Sequence, residues 1–228
     1  PQGELTLEEA KAINRRATIG KILETEIKPK EISRISAGVA KQIITQGIRE
    51  AERKMMQEAY ENKREEVILA TVSKIDLDTG NVVLETETGR AVLLKTEQIP
   101  GETFAVGDRI MVYVQEVNRE LRGPLVLFSR VHPGFVRRLF ELEIPEIQNG
   151  TVVVKGVSRE AGSRTKISVL SNDPDVDPVG ACIGNHGMRI NAIVDELRGE
   201  KVDIVKYSES PEEYVRAALA PANVISVE

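Results

Sequence analysis

The run Asp177-Pro178-Val179-Gly180-Ala181-Cys182-Ile183-Gly184-Asn185-His186-Gly187-Met188-Arg189-Ile190-Asn191-Ala192-Ile193-Val194-Asp195-Glu196-Leu197-Arg198-Gly199-Glu200-Lys201-Val202-Asp203-Ile204-Val205-Lys206 decides how this chain is read. An apolar helical run breaks at Gly184-Asn185-His186-Gly187 and resumes as a second helical run. That run passes through Gly199 into the alternating strand Val202-Asp203-Ile204-Val205. A Gly-x-x-Gly bend between helices brings backbone N–H groups to a helix N-terminus, where the helix dipole favours anions. Two residues without Cβ let a phosphate chain come close.

This is the arrangement by which a KH module holds single-stranded nucleic acid. The alternative reading is a plain packing loop between two helices. Nucleotide-loop motifs fail on spacing: Gly180, Gly184 and Gly187 do not make GxGxxG, and no Gly-Lys-Ser/Thr follows. Arg189, just beyond the bend, is placed to reach a phosphate.

Working outward, residues 131–228 read helix, strand, strand, helix–GxxG–helix, strand, helix, an α/β layer with helices on one face. Strands are expected over Thr151–Val157 and Lys166–Leu170, around a turn carrying Arg159 and Arg164, and a last helix over Pro211–Ala220. Arg159, Arg164 and Lys166 are candidate phosphate or base contacts, or a solvated hairpin. Residues 67–129 switch to strand period. Val67–Val72, Val82–Glu85, Ala91–Leu94, Ile110–Val114 and Leu125–Arg130 give five short strands, with hairpin signals at Asp78-Thr79-Gly80-Asn81 and Thr88-Gly89-Arg90. Five strands in this length suggest a small OB-type barrel. Phe104, Tyr113 and Phe128 are its only candidate stacking aromatics, with core packing as the blander alternative. Arg130, His132, Arg137 and Arg138 at the junction would extend a binding track or make interdomain salt bridges.

Residues 1–66 read as helical. Thr6 and Glu9 form a capping box ahead of Ala10, Ile13 and Ala17, in a helix expected to end at Gly20. Lys21–Ile27 reads as a short strand, and Pro29 as punctuation. A long helix follows from Ser33 to Lys63, with Ile35, Val39, Ile43, Ile44, Ile48, Met55 and Ala59 at three- and four-residue steps. Gly38 and Gly47 each cost roughly 1 kcal/mol against Ala there, which points to close packing.

Composition bounds these readings. Of the 228 residues, 41% are hydrophobic but only 4% aromatic, with no Trp, so the cores must be aliphatic. The single cysteine, Cys182, excludes an intrachain disulfide, fits a reducing cytoplasm and reads as a buried thiol. No apolar run approaches the roughly 18 residues of a membrane span. Net charge is −5, with the acid excess in residues 67–129 and 190–228. Residues 130–189 carry 8 basic and 7 acidic groups, so counterion release supports only modest nucleic-acid affinity. Catalysis finds no support. His132, His186 and Cys182 make no metal or nucleophile pattern, and Asp173, Asp175 and Asp177 lack the glycine and distal Glu of a Ca²⁺ loop.

Collinear strings across nearly the whole chain resemble the bacterial NusA transcription-factor family. They include Arg34-Ile35, Ala40-Lys41-Gln42, Ala51-Glu52-Arg53, Ile99-Pro100-Gly101-Glu102, Gly107-Asp108-Arg109 and Arg122-Gly123-Pro124. They continue through Ser129-Arg130-Val131-His132-Pro133, Leu139-Phe140-Glu141, Ile144-Pro145-Glu146-Ile147, Ser158-Arg159-Glu160, Arg164-Thr165-Lys166 and the opening run itself. The resemblance implies a multidomain α+β chain in three parts. Residues 1–66 would be the helical part of an N-terminal RNA polymerase-binding domain. Residues 67–130 would be an S1 (OB-fold) barrel, and residues 131–228 a first KH domain of the bacterial type II arrangement. It also implies a cytoplasmic, monomeric, non-enzymatic factor without cofactor or metal. Its expected partners are RNA polymerase, nascent single-stranded RNA and other antitermination factors. The RNA contacts expected are Gly184, Asn185, His186, Gly187, Arg189, Arg159, Arg164, Lys166, Arg130 and Arg137. The pair Asn185-His186 departs from the Lys or Arg usual in the family and removes a charge-assisted phosphate contact. Gly38 replaces a larger polar residue. On this resemblance, earlier parts of the N-terminal domain would precede Pro1, and a second KH domain would begin near Glu228. The competing readings are an accessory region of an RNA-processing exoribonuclease and a protein scaffold without RNA contact.

Overall fold

The computed structural model describes residues 5–15, 17–20, 22, 34–118 and 125–227. Residues 1–51 and 52–228 form two compact units. In the first, helix α1 (Leu7–Ile13) starts at the expected capping box. Thr6 accepts the Glu9 N–H, and the Glu9 carboxylate takes the Thr6 N–H and hydroxyl. The helix stops at Ile13, short of the expected Gly20, because Asn14 turns to extended backbone as its C-cap. Apart from Ile22, the strand expected over Lys21–Ile27 lies outside the described residues, as do Pro29, Ser33 and Arg122-Gly123-Pro124.

Helix α2 runs Arg34–Glu61. The close packing expected at Gly38 and Gly47 is not found. A Cβ at either position would meet nothing within 4 Å among the described residues. Val39, Ile43, Ile44, Ile48 and Met55 are likewise exposed. Helical period marks an apolar stripe here without supplying what covers it.

The second unit begins with the last turns of α2, where Met56 and Tyr60 pack on a sheet. Five antiparallel strands, β1 (Val67–Ile75), β2 (Val82–Thr86), β3 (Gly89–Leu93), β4 (Arg109–Val117) and β5 (Val126–Ser129), lie in the order β3-β2-β1-β4-β5. Alternation sends Ala70, Val72, Val82, Leu84, Leu93, Ile110, Val112, Val114, Val126 and Phe128 into one aliphatic core. Register shifts between Val72 and Lys74 and between Val114 and Glu116 mark bulges that bend the strands. The edge strands β3 and β5 thereby approach each other, and the sheet curls into an OB-like near-barrel. Tyr60, fully buried, plugs it. Its ring meets Phe128 edge-on at 5.8 Å, and its hydroxyl lies 2.5 Å from Thr86 Oγ1. Of the three aromatics considered as stacking platforms, Phe128 is fully buried and Phe104 packs against this core.

The remainder is helix α3 (Pro133–Glu143), α4 (Pro145–Gln148), β6 (Val152–Glu160), β7 (Arg164–Ser171), α5 (Pro178–Ile183), α6 (Met188–Glu196), β8 (Lys201–Lys206) and α7 (Pro211–Ala218). The sheet order is β6-β7-β8, with β6/β7 antiparallel and β7/β8 parallel, a mixed sheet consistent with a KH domain. The turn between β6 and β7 is shorter than expected. Arg159, Arg164 and Lys166 sit inside strands, paired with Thr165, Glu160 and Ser158. Caps set the helix starts. Asp177 accepts from the N–H groups of Val179 and Gly180 ahead of Pro178, and Ser210 accepts from that of Glu213 ahead of Pro211.

The two sheets share a core across residue 130. Ile99 and Tyr113 of the near-barrel are buried in one cluster with Phe135, Val136, Leu139, Phe140, Val152, Ile167, Val169, Cys182, Ile193 and Leu197. Burial pushes the Cys182 thiol up to about 12, so it packs as a small apolar group.

Arg130 pins this seam. Its side chain is fully buried. Nε and Nη2 donate to the two Glu102 oxygens at 3.0 and 2.7 Å. Nη1 donates to the Met111 carbonyl and to Glu196 Oε1, and Nη2 also to the Glu196 carbonyl. All five guanidinium donors are used. Arg130→Ala should cost about 3–5 kcal/mol in urea unfolding, because it strands a buried carboxylate. The exposed Arg137→Ala should stay within about 0.5 kcal/mol. Equal losses for the two variants would refute the pin.

Candidate nucleic-acid interface

The glycine bend lies on the surface. After α5, Gly184 adopts φ 72° and ψ 178°, a conformation open essentially to glycine alone. A short 3₁₀ turn follows over Asn185–Gly187, with His186 at φ 53° and Gly187 at φ 75°. His186 holds left-handed backbone without being glycine. The Gly187 N–H bonds the Gly184 carbonyl, and α6 then begins at Met188. Asn185 and His186 are exposed, as are the flanking Ile183 and Met188. The Met188 N–H is likewise turned inward, to the Asn185 carbonyl, so the exposed face of the bend is bare glycine backbone bordered by apolar side chains.

Arg189 is brought to the same place. A Cβ built on Gly184 would lie 2.8 Å from Arg189 Cγ, so the missing side chain is what lets this arginine fold over the bend. Its guanidinium donates to Glu146 at 2.8 Å and to the Ala181 carbonyl at 2.6 Å while staying partly exposed.

The other expected cations separate into two kinds. Arg164 and Lys166, two apart on β7, face the same way and share Asp203 on β8. Arg164 Nε lies 2.6 Å and Lys166 Nζ 3.3 Å from Asp203 Oδ2. Both remain accessible to solvent, with Lys166 also bonded to the Ala220 carbonyl. Arg137 is exposed on α3 and pairs with Glu141 four residues on. Arg138 pairs with the same Glu141 and donates to the Glu65 carbonyl.

The side chains of Arg130 and Arg159, by contrast, are fully buried. Arg159, its side chain fully buried, forms a two-pronged pair with Glu200 and donates to the carbonyls of Arg130 and His132. Both guanidinium groups lie over the Phe135 ring, at 5.1 and 5.9 Å. Of the readings open at the sequence level, interdomain ion pairing is the one the geometry gives Arg130. The reason is burial: an arginine with its donors consumed in a sealed seam has none to offer a phosphate.

Sequence reasoning missed the acids of that seam. Glu102, Glu196 and Glu200 were not singled out, yet Glu102 and Glu200 are buried. The usable signal was positional, since Ile99-Pro100-Gly101-Glu102 is too apolar and too tightly turned for a free loop. Among the described residues, no cluster of three His, Cys, Asp or Glu is placed to hold a metal ion. None of the described helices is long and apolar enough to cross a membrane.

An OB-like near-barrel fused through a shared core to a mixed sheet consistent with a KH domain, with its glycine bend exposed, defines an α+β protein. Residues 130–207 match the NusA-like first KH domain family, and residues 1–54 match the NusA N-terminal domain family. The chain is a NusA-like protein. It is 45% identical over 226 residues to the transcription termination/antitermination protein NusA of Bacillus subtilis, covering 98% of this chain and 60% of the relative. It is 41% identical over 228 residues to that of Thermus thermophilus, covering 100% of this chain and 59% of the relative. The chain thus spans about three fifths of the length of these relatives.

Burial raises the Glu200 carboxyl, but hydrogen bonds from Arg159, Thr165 and the Gly162 N–H outweigh it and hold the group below the usual glutamate range. A carboxyl lowered on folding contributes its full stability above the unfolded value, about 4.3, and loses it as pH falls through the lowered one. The stability difference between the wild type and Glu200→Gln should therefore be largest near neutrality and shrink below pH of about 4. A difference that stays flat from neutral to strongly acid pH would contradict this linkage.

Proposed function

We propose that this chain is the RNA-binding, polymerase-associated portion of a bacterial transcription factor that modulates pausing, termination and antitermination. The observation that carries the reading is the exposed Gly184–Gly187 bend at the start of α6, in a NusA-like chain. In this reading residues 1–66 belong to the polymerase-binding domain. Residues 67–130 are the S1-type barrel, and residues 131–228 the first KH domain in its type II arrangement. The factor works as a cytoplasmic monomer, without catalysis, alongside polymerase and other antitermination factors.

The mechanism is positional. Docking on polymerase raises the effective concentration of emerging RNA at the KH groove, so weak contacts suffice. The phosphate chain approaches Gly184 and Gly187, Asn185 and His186 reach phosphate or base, and Arg189 supplies the charge. Arg164, Lys166 and Arg137 add accessible cations. Arg130 and Arg159 leave the set of RNA contacts and act by holding barrel and KH sheet together. RNA held this way would bias whether a hairpin folds at the exit.

Because Gly184 and Gly187 need their backbone angles, the clean variant changes the exposed pair between them. Asn185→Asp with His186→Asp adds two negative charges and keeps both glycines; aspartate tolerates the left-handed backbone at 186. RNA affinity, measured by fluorescence anisotropy on a short unstructured oligonucleotide, should fall at least about tenfold while the circular dichroism spectrum stays unchanged. Wild-type affinity in this variant would sink the reading. His186→Lys should instead tighten binding and steepen its salt dependence, with a slope change near one.

A further inference from the structure

A cavity of about 590 Å³ opens between the near-barrel, the first turn of α3 and β6. Its size lies within the roughly 300–1,000 Å³ of small-molecule sites. Its floor is an aromatic pair contributed by both halves of the seam. Tyr113 of β4 and His132, the N-cap of α3, stack with ring centroids 5.0 Å apart and planes within 6°. Gly134 makes this possible, because a Cβ there would fall 2.5 Å from the Tyr113 hydroxyl and 2.8 Å from His132 Nδ1.

The polar atoms of this pair point to a ligand. Tyr113 is 6% exposed. Among the described residues its hydroxyl takes no hydrogen bond, and every fully buried side-chain N or O there has a partner, so this oxygen opens into the cavity. Desolvation raises its pKa, keeping it a neutral donor. His132 Nδ1 accepts the Gly134 N–H at 3.0 Å, which assigns the ring proton to Nε2. Arg137 and Arg138 stand on one wall, both tied to Glu141, and Glu65 stands near them. A stacked pair, ring donors and two guanidinium groups suit a flat heterocycle carrying an anion.

We propose that this cavity is a second nucleotide site, separate from the glycine bend. The base of one nucleotide rests against the Tyr113–His132 stack and bonds the Tyr113 hydroxyl, while its phosphate draws Arg137 from Glu141. The site needs no charge from the bend and does not depend on it. That the nucleotide belongs to a transcript rests on the function proposed above; a free mononucleotide carries the same chemistry.

The test is an amide-shift titration of the full chain carrying Asn185→Asp and His186→Asp, which blunts the bend. Adenosine monophosphate and a five-nucleotide adenosine RNA are the two probes. Shifts at Tyr113, Gly134 and Val157 are expected, and affinity should weaken about five- to tenfold with Tyr113→Phe and with Arg137→Gln. Tyr113→Phe keeps the ring and Arg137 is exposed, so folded spectra are expected for both. Tighter binding of the RNA than of the mononucleotide identifies a transcript nucleotide, and the reverse identifies a free one. If neither probe moves those amides at millimolar concentration, or if both substitutions leave the affinity intact, the site does not exist. The parallel titration of the wild-type bend reports on the earlier reading separately.

Discussion

The Arg130 guanidinium has five donors and a fixed fork, and the seam of this molecule is built to satisfy all of them. Two go to Glu102 in the near-barrel, one to the Met111 carbonyl, and two to Glu196 at the end of α6. A buried charge is tolerable only when its partners are placed this completely. The requirement reaches further. The Arg130 carbonyl and the His132 carbonyl accept from Arg159, whose own charge is met by both oxygens of Glu200, and those two oxygens also accept from the Thr165 hydroxyl and the Gly162 N–H. Phe135 lies beneath both guanidinium groups. The curled sheet and the mixed sheet are thereby joined through one connected set of buried charges.

The helix that begins at the glycine bend ends at Glu196, directly on Arg130. The bend is therefore referenced to the barrel through a single helix of nine residues. On the proposed function, this placement lowers the cost of binding, because less free energy goes into ordering the surface. The same seam creates the Tyr113–His132 cavity, since its two rings come from opposite sides of the junction and meet only because the junction is fixed.

Much of this was legible residue by residue. Period-two alternation found the five strands of the near-barrel. The Thr6–Glu9 spacing found its capping box, and the Gly184–Gly187 spacing found an exposed bend between helices. Two expectations went astray. Helix α1 was carried past Asn14, where a local cap overrode a weak apolar period. The turn between β6 and β7 was drawn too long, because ladder pairing continues to Glu160 and Arg164. At Gly38 and Gly47 no described residue comes within contact of a built Cβ. Periodicity names the apolar face of a helix but is silent on its neighbour.

The sequence by itself determined the elements, the aliphatic character of the cores and the place of the bend, because each follows from interactions within a few residues along the chain. It did not determine which charges are built into the seam and which stay at the surface. Arg130, Arg159 and Arg164 are chemically alike in one dimension. Only the tertiary structure, by burying the first two against Glu102, Glu196 and Glu200 and leaving the third at the surface, gave them different work. The physical reason is that desolvation and pairing depend on partners 28 to 66 residues away, a distance over which no local pattern carries information.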